Sequence, residues 1–517
     1  PPFWKKAKAP LKRVAPCAES FARSDSAESD KWSAFKVVLI PQYDLRSMAK
    51  EGDSLQGSAA SGVHIMEDLH ELKERAAREI VLQLRQGGYE AFFVGGAVRD
   101  YLRGVTPGDY DIVTSAKPRQ VSELFARTTG VGAKFGVTAV IAGGHSFEVA
   151  TFRSDEAYED GRRPAQIRFS TAEDDVCRRD FTVNGLLMDP ESGQIIDYVN
   201  GRKDIEKRII RAIGDPYQRF AEDYLRMLRA VRFAANLGFS LEPKTKEAIL
   251  EHSEKIRSIS AERVAEELDK ILTRGGARRG FELLSATGLL RHILPEVEDL
   301  KGVQQPPRYH PEGDVWEHTM IMLEVLAAET APRTNATLAW AALLHDTGKT
   351  ATRTVDEKGV HFYGHTGESE RIAAAIAGRL KFSRVRREGV IALIHHHMAF
   401  MNVQKMRPSR LKRFLRMPDF DLHLQLHRLD CLASHGMLDH YEFCLAGMAG
   451  ASPEELRPVR LLTGDDLIAM GYAPGRLIGE ILSRLEDEQL ENRVINREEA
   501  EEFVRLNWSR QRNQTGE

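Results

Sequence analysis

Cysteine is scarce in this chain: four in 517 residues, Cys17, Cys177, Cys431 and Cys444, scattered and without a Cys-x-x-Cys. That leaves no pairing signature and suits a reducing cytoplasm, where the chain is expected to reside. Long apolar runs are missing too. No uninterrupted stretch could cross a bilayer, so a membrane-spanning protein is excluded. Neither sign of charge dominates, the net being −3 with 29% of residues charged. The near-neutral total conceals basic clusters at 276–280, 384–387 and 405–416, which could follow a nucleic-acid backbone or be solvated helix faces. No internal repeat is evident. Residues 1–62 mix Pro, Ser, Gly and charges without sustained periodicity and contain no secretory apolar segment. They are expected to be a poorly ordered extension or an artefact of the gene model. Length is what the chain has, and 517 residues predict three or four domains.

The most informative run is FFVGGAVRDYLRGVTPGDYDI, residues 92–112. An apolar strand ends in Gly95 and Gly96, a helix-compatible segment follows, and a second strand presents Asp109 and Asp111. Side chains at i and i+2 of a strand share a face, so two carboxylates in that register can bind a pair of Mg²⁺ ions. The diglycine lets backbone N–H groups approach a polyphosphate, and Arg99 lies one helical turn on. Alone, either element is an ordinary turn; combined, they point to nucleotidyl transfer. Glu148, flanked by apolar residues in FEVATF, is a candidate third carboxylate, since a merely structural charge there would be costly to bury.

Two further constellations follow. In CRRDFTVNGL, 177–186, the arginine pair Arg178 and Arg179 could hold a triphosphate, and Asp180 and Asn184, four apart, are expected to share a helix face near a ribose or metal. In RFAEDYLRMLRAVRF, 219–233, helical spacing makes Asp223 and Arg226 neighbours. The plain reading is a helix salt bridge. The functional one is base selection: a carboxylate accepts from an exocyclic amine and a guanidinium donates to ring acceptors, which matches the Watson–Crick edges of C and A. G and U offer a carbonyl where the carboxylate needs a donor. Arg229 and Arg232 continue at three-residue steps and are expected to contact phosphate or brace the helix. Helical periodicity starts near Met66, short strand-like runs occur at 138–143, 147–152, 166–170 and 194–199, and after residue 216 the pattern is helical to the C-terminus.

GGAVRDYLRG with DYD, RRDFTVNG, EDYLRMLRAVRFA and ISAERVAEEL (259–268) together resemble the class II tRNA nucleotidyltransferases, the CCA-adding enzymes and bacterial poly(A) polymerases of the DNA polymerase beta superfamily. The resemblance runs from about residue 66 to near 508. It implies an α+β fold: a polymerase-beta-like α/β head (63–213), a helical neck that selects nucleotides and binds RNA (214–300), an HD-domain body (301–450) and a helical tail (451–517). It implies that Asp109 and Asp111 bind Mg²⁺, that Gly96, Arg99 and Arg179 hold triphosphate, and that Asp223 and Arg226 read the base of CTP or ATP for addition to a tRNA 3′ end. GVGAKFGVTAV stands where poly(A) polymerases carry an Arg-Arg-Phe-Arg-Leu-like segment, and RSDEAYEDGRRP (153–164) supplies the flexible loop that CC-only enzymes tend to lack. Full CCA addition is therefore the expectation, with A-only addition or a poly(A) polymerase as alternatives.

In the helical part, His318, His345 and Asp346 of LLHDTGK, His365, His395, His396 and Asp430 resemble the metal site of an HD-domain phosphohydrolase, with His310, His361 and His397 as spare candidates. Imidazole and carboxylate donors suit Ni, Co, Mn or Fe. The expected substrates are 2′,3′-cyclic phosphates or 3′-phosphates on RNA ends. A rival reading makes the chain an HD phosphohydrolase whose transferase-like head only binds RNA.

Overall fold

The computed structural model of the protein describes residues 58–129, 136–155, 167–331, 334–357 and 359–508. Two compact units divide it, Pro1–Lys73 and Glu74–Glu517. Of the first, only the helical stretch 58–73 is described. The first helix spans Ser58–Gln86, so it starts before Met66 and includes residues expected to belong to the irregular extension. The remainder of that extension lies outside the described residues.

Among the described residues up to Asp197, nine strands follow: β1 (Ala91–Val94), β2 (Asp111–Thr114), β3 (Thr128–Thr129), β4 (Val137–Ala142), β5 (His145–Thr151), β6 (Arg153–Asp155), β7 (Ile167–Phe169), β8 (Leu186–Met188) and β9 (Ile195–Asp197). Seven form one sheet in the order β3-β4-β5-β2-β1-β8-β9, with β2 and β5 parallel and the other neighbours antiparallel. Period-two alternation sets its faces. Phe93, Ile112, Phe147 and Val149 point to one side and bury against Ala76, Ile80 and Leu84, which recur at helical spacing. Val94, Val113 and Leu187 point to the other and pack with Phe152 and Val176. That second face also carries Asp111, which pairs with Val94.

Beyond the sheet the chain is mostly helical, with two small exceptions to the expected all-helical body. Ile209–Ile210 pairs with Ser240–Leu241, and Thr354–Asp356 forms a hairpin with Gly359–His361. A hydrophobic core continues from the head through the helices Leu225–Leu237, Ala261–Thr273 and Ala336–Leu344. The C-terminal helices have a core of their own around Leu467, Tyr472, Ile481, Leu485 and Val504. Among the described residues no helix is long and apolar enough to cross a membrane.

Candidate functional site

The head site starts at a turn. Gly95 follows β1 with φ 70°, the left-handed region that glycine adopts without strain. A Cβ there would lie 3.7 Å from Arg179 Nη1 and 3.9 Å from both Asp111 Oδ2 and the Asn184 carbonyl oxygen, so these groups converge on one small residue. A Cβ on Gly96, the first residue of the helix Gly96–Leu102, would lie 3.7 Å from Arg99 Nη2. Asp111 opens β2, whereas Asp109 sits just before the strand, separated from it by the buried Tyr110. The expected strand register thus holds for Asp111 but not Asp109, although both residues are exposed. Glu148 is exposed as well, because alternate residues Phe147 and Val149 take the core side of β5. The burial argument made for it therefore fails. Its position still favours the site: pairing of Ile112 with Val149 puts Glu148 level with Asp111 on the same face.

A buried carboxylate aims the arginines. Asp175 takes Arg178 on one oxygen at 2.6 Å and Arg179 on the other at 2.9 Å. Burial raises its pKa, but the two guanidinium groups outweigh that and hold it below the usual carboxylate range. Asp180 and Asn184 do not share an α-helix: Asp180 precedes a short 3-10 turn, Thr182–Asn184. They touch nonetheless, Asn184 Nδ2 donating to Asp180 Oδ1 at 3.2 Å. Arg99 donates to Asn184 Oδ1 at 2.8 Å, and Arg229 to Asp180 Oδ2 at 2.6 Å. Asp180 is held at about 2, against its burial, chiefly by Arg229. Arg229 is thus a brace, and so is Arg232, which is buried and ion-paired with Glu267 of the helix Ala261–Thr273.

Asp223 and Arg226 are not neighbours on one helix. The chain breaks between Pro216–Glu222 and Leu225–Leu237, and Asp223 is extended there (φ −156°, ψ 104°), with Oδ1 accepting from the Leu225 N–H at 3.1 Å. Arg263 holds both Asp223 oxygens, at 2.7 and 3.2 Å. Arg226 pairs with Glu222 and donates to the carbonyl of Arg178 at 3.3 Å, which sets it one residue from Arg179. Sequence reading passed over Asp175, Arg263 and Glu267. Only Asp175 had a local signal, its i+3 and i+4 spacing to the arginine pair.

The second site lies among buried imidazoles. His318 comes from the helix Val315–Thr330, His345 and Asp346 from the end of Ala336–Leu344, His365 from the start of His365–Arg379, and Asp430 from Phe420–Ala433. His397, not His395 or His396, completes it. The helix Arg384–His396 ends there, and successive residues at a helix end point in different directions. His395 is exposed and pairs with Glu370 at 2.9 Å, while His396 packs edge-on to His423. His361 pairs with Asp356 in the hairpin, and His310 shares Glu312 with His318.

Each inward imidazole is oriented from behind. Nδ1 of His345, His365 and His397 faces the carbonyl oxygens of Ala342, Phe362 and Ile394, and Nδ1 of His318 faces Glu312 at 2.8 Å. This is how metal-ligating histidines are held, and it leaves every Nε2 pointing at Asp346 or Asp430. The buried Nε2 atoms of His318 and His345 lie 3.3 and 3.2 Å from Asp430 and Asp346 without the alignment of a hydrogen bond. Burial pushes His397 down to about 4. Burial likewise lowers His365. Lys349 sits on Asp346 at 2.6 Å and on Gln305 at 2.6 Å. The donor set therefore fits a divalent transition metal. Glu312 and Lys349, absent from the sequence reading, are the groups that steer its ligands.

The basic clusters are largely engaged within the protein. Arg407, Arg413 and Arg416 pair with Glu486 and Asp487, Arg386 with Asp269, and Arg278 with Glu282, Glu317 and Glu324. Residues 156–164 of the expected head loop lie outside the described residues.

Three family models match in order: "Poly A polymerase head domain" over residues 91–211, "Probable RNA and SrmB- binding site of polymerase A" over 238–301, and "HD domain" over 315–426. The CCA-adding enzyme of Geobacillus stearothermophilus is 49% identical over 215 residues, 41% of this chain and 53% of the relative. That of Bacillus licheniformis is 41% identical over 271 residues, 51% of this chain and 67% of the relative. The chain thus spans about half the length of the first curated relatives it matches, 53% and 57%. A crystal structure of the Bacillus stearothermophilus CCA-adding enzyme in complex with CTP superposes with a TM-score of 0.60 at 29% identity, covering 84% of this chain and 98% of that one.

Proposed function

The chain belongs to the family of CCA-adding enzymes and poly(A) polymerases, and from that premise we propose that it adds C and A nucleotides, without a template, to tRNA 3′ ends. The observation that carries this reading is the convergence of Asp111, Arg179 and Asn184 on Gly95. Gly95 and Gly96 leave room for a polyphosphate, and Arg99 and Arg179, oriented by Asn184 and Asp175, hold its oxygens. Asp109 and Asp111, with Glu148 level with Asp111, would hold Mg²⁺ there. Bound there, magnesium neutralises charge on the triphosphate and on the attacking 3′ oxygen. Asp223 and Arg226 present the acceptor and donor that C and A share, and Arg263 and Glu222 fix their directions. Arg229 and Arg232 brace the same helix through Asp180 and Glu267.

On this reading the head is 63–213, the neck 214–300, the HD body 301–450 and the tail 451–517, and the protein acts in the cytoplasm, consistent with its unpaired Cys177, Cys431 and Cys444. The test is extension of tRNA lacking its terminal nucleotides, given CTP, ATP or both. Stepwise addition of C then A supports full CCA addition; a tail of A alone moves the assignment to A addition or poly(A) synthesis.

The buried imidazole cluster supports a second activity, metal-dependent hydrolysis of phosphoesters. His318, His345, Asp346, His365 and Asp430 would hold a transition metal (Ni, Co, Mn or Fe), joined by His397 in place of His395 and His396. Cyclic 2′,3′-phosphates and 3′-phosphates are the proposed substrates, and release of phosphate or ring opening by the metal-loaded protein is the measurement.

A further inference from the structure

Asp109 and Asp111 are held by different means. Pairing of β1 with β2 ends at Val94 and Asp111, so the ladder fixes Asp111 and stops short of Asp109. Exposure nevertheless goes on alternating beyond the strand: Asp109 and Asp111 are exposed, Tyr110 and Ile112 buried. Such alternation puts 109 and 111 on one side of the chain and 110 and 112 on the other. What keeps the chain on that course beyond the ladder is the side chain between the two carboxylates.

Tyr110 belongs to the core that contains Phe93, Ile112, Ala76 and Ile80, its ring centroid 5.2 Å from that of Phe93. A buried phenol needs a partner for its hydroxyl. The partner is Glu74 of the helix Ser58–Gln86, whose Oε2 accepts from the Tyr110 hydroxyl at 3.1 Å. Burial and then the charge of Glu74 push the phenol up, so the hydroxyl keeps its hydrogen and the carboxylate accepts. Arg78, one turn along the same helix, donates to Glu74 Oε1 at 2.6 and 2.9 Å, which leaves Oε2 to Tyr110. The first helix is thereby tied to the residue that separates Asp109 from Asp111.

We infer that Tyr110 and Glu74 are positioning residues for nucleotidyl transfer: the hydrogen bond between them holds Asp109 beside Asp111 in the arrangement that lets both carboxylates serve the same metal site. Each acts through the backbone of 109–111. This rests on Asp109 and Asp111 binding Mg²⁺ next to the triphosphate, as proposed above. The tether can change the fraction of molecules with both carboxylates in place by no more than one hydrogen bond is worth, about 3–10-fold.

The test is CTP binding to the full chain by calorimetry, without RNA so that nothing is extended, once with Mg²⁺ and once with EDTA. The ratio of the two affinities reports what the carboxylates contribute, and the affinity in EDTA what the arginines contribute. Tyr110→Phe, which keeps the ring and loses the hydroxyl, is expected to lower the ratio about 3–10-fold and to leave the affinity in EDTA unchanged. Glu74→Ala, an independent variant, should do the same, and the double variant no more than either, since both remove one bond. Glu74→Gln should restore most of the ratio, because its carbonyl oxygen can accept from the phenol while the partly exposed Arg78 turns to water. With tRNA present, Tyr110→Phe should raise the Mg²⁺ concentration for half-maximal addition by the same factor and leave the choice of C and A intact. A ratio unchanged in both Tyr110→Phe and Glu74→Ala, or losses that add in the double variant, would overturn the inference and make the bond no more than a satisfied core phenol. A ratio lost in Tyr110→Phe alongside a wild type that extends no tRNA would remove the function proposed above and keep this inference; extension of tRNA with the ratio intact in both variants would do the reverse.

Discussion

In the head three carboxylates stand exposed on or beside the interior strands β2 and β5, whereas in the helical body the charged groups are sunk between five elements. Asp109, Asp111 and Glu148 are exposed, placed by a strand start, a residue just before it and the register of β5. His318, His345, Asp346 and His397 are buried, and what fixes them is side-chain chemistry, a carbonyl or carboxylate behind every ring. The difference bears on what each site costs the fold. Partners left by an exposed carboxylate can turn to water, while those left by a buried one are stranded.

That contrast is sharpest for Asp111 and Asp346. Asp111→Ala is expected to lower nucleotide addition at least about 100-fold and to cost less stability than Asp346→Ala. Asp346→Ala is expected to abolish phosphoester hydrolysis and to cost about 3–5 kcal/mol in denaturant unfolding, because it leaves the ammonium of Lys349 buried and unpaired. Equal stability losses in the two variants would break the comparison. Glu267→Ala, which strands the buried Arg232, should also cost about 3–5 kcal/mol without touching either centre directly.

A smaller effect separates reading a base from holding a phosphate. Asp223→Ala or Arg226→Ala should relax discrimination against UTP and GTP by about 1–3 kcal/mol, more than it weakens triphosphate binding. Strict C and A choice in both variants would make them structural. The smallest effect is in acid. Asp180 titrates at about 2 in the folded protein against 3.8 ordinarily, so its stabilisation is complete above the ordinary value and is lost as pH falls through about 2. Asp180→Asn should flatten that limb of the stability curve, and an unchanged limb would contradict the pairing with Arg229.

The two regions were also unequally legible. The head was legible as a fold because its pattern is local, a glycine pair between two strands and an Asp-x-Asp within 92–112, although the strand period did not reach Asp109. Where a local pattern implied a continuous helix it misled, since Asp223 sits at a break between two helices and takes its partner, Arg263, from forty residues away. In the body, three consecutive histidines carry no signal for which one faces inward, and only the end of the helix at His396 selects His397. The basic run at 405–416 could not be read either, because the carboxylates that pair with it, Glu486 and Asp487, lie some seventy to eighty residues on.

The central claim is that the exposed carboxylates of the head run nucleotide addition independently of the buried imidazoles. The most direct measurement is extension of tRNA lacking its CCA end, with CTP and ATP, by the wild type, Asp111→Ala and His345→Ala side by side. The account predicts that the wild type and His345→Ala add C then A, and that Asp111→Ala adds nothing. Extension by Asp111→Ala, or its loss in a folded His345→Ala protein, would contradict it.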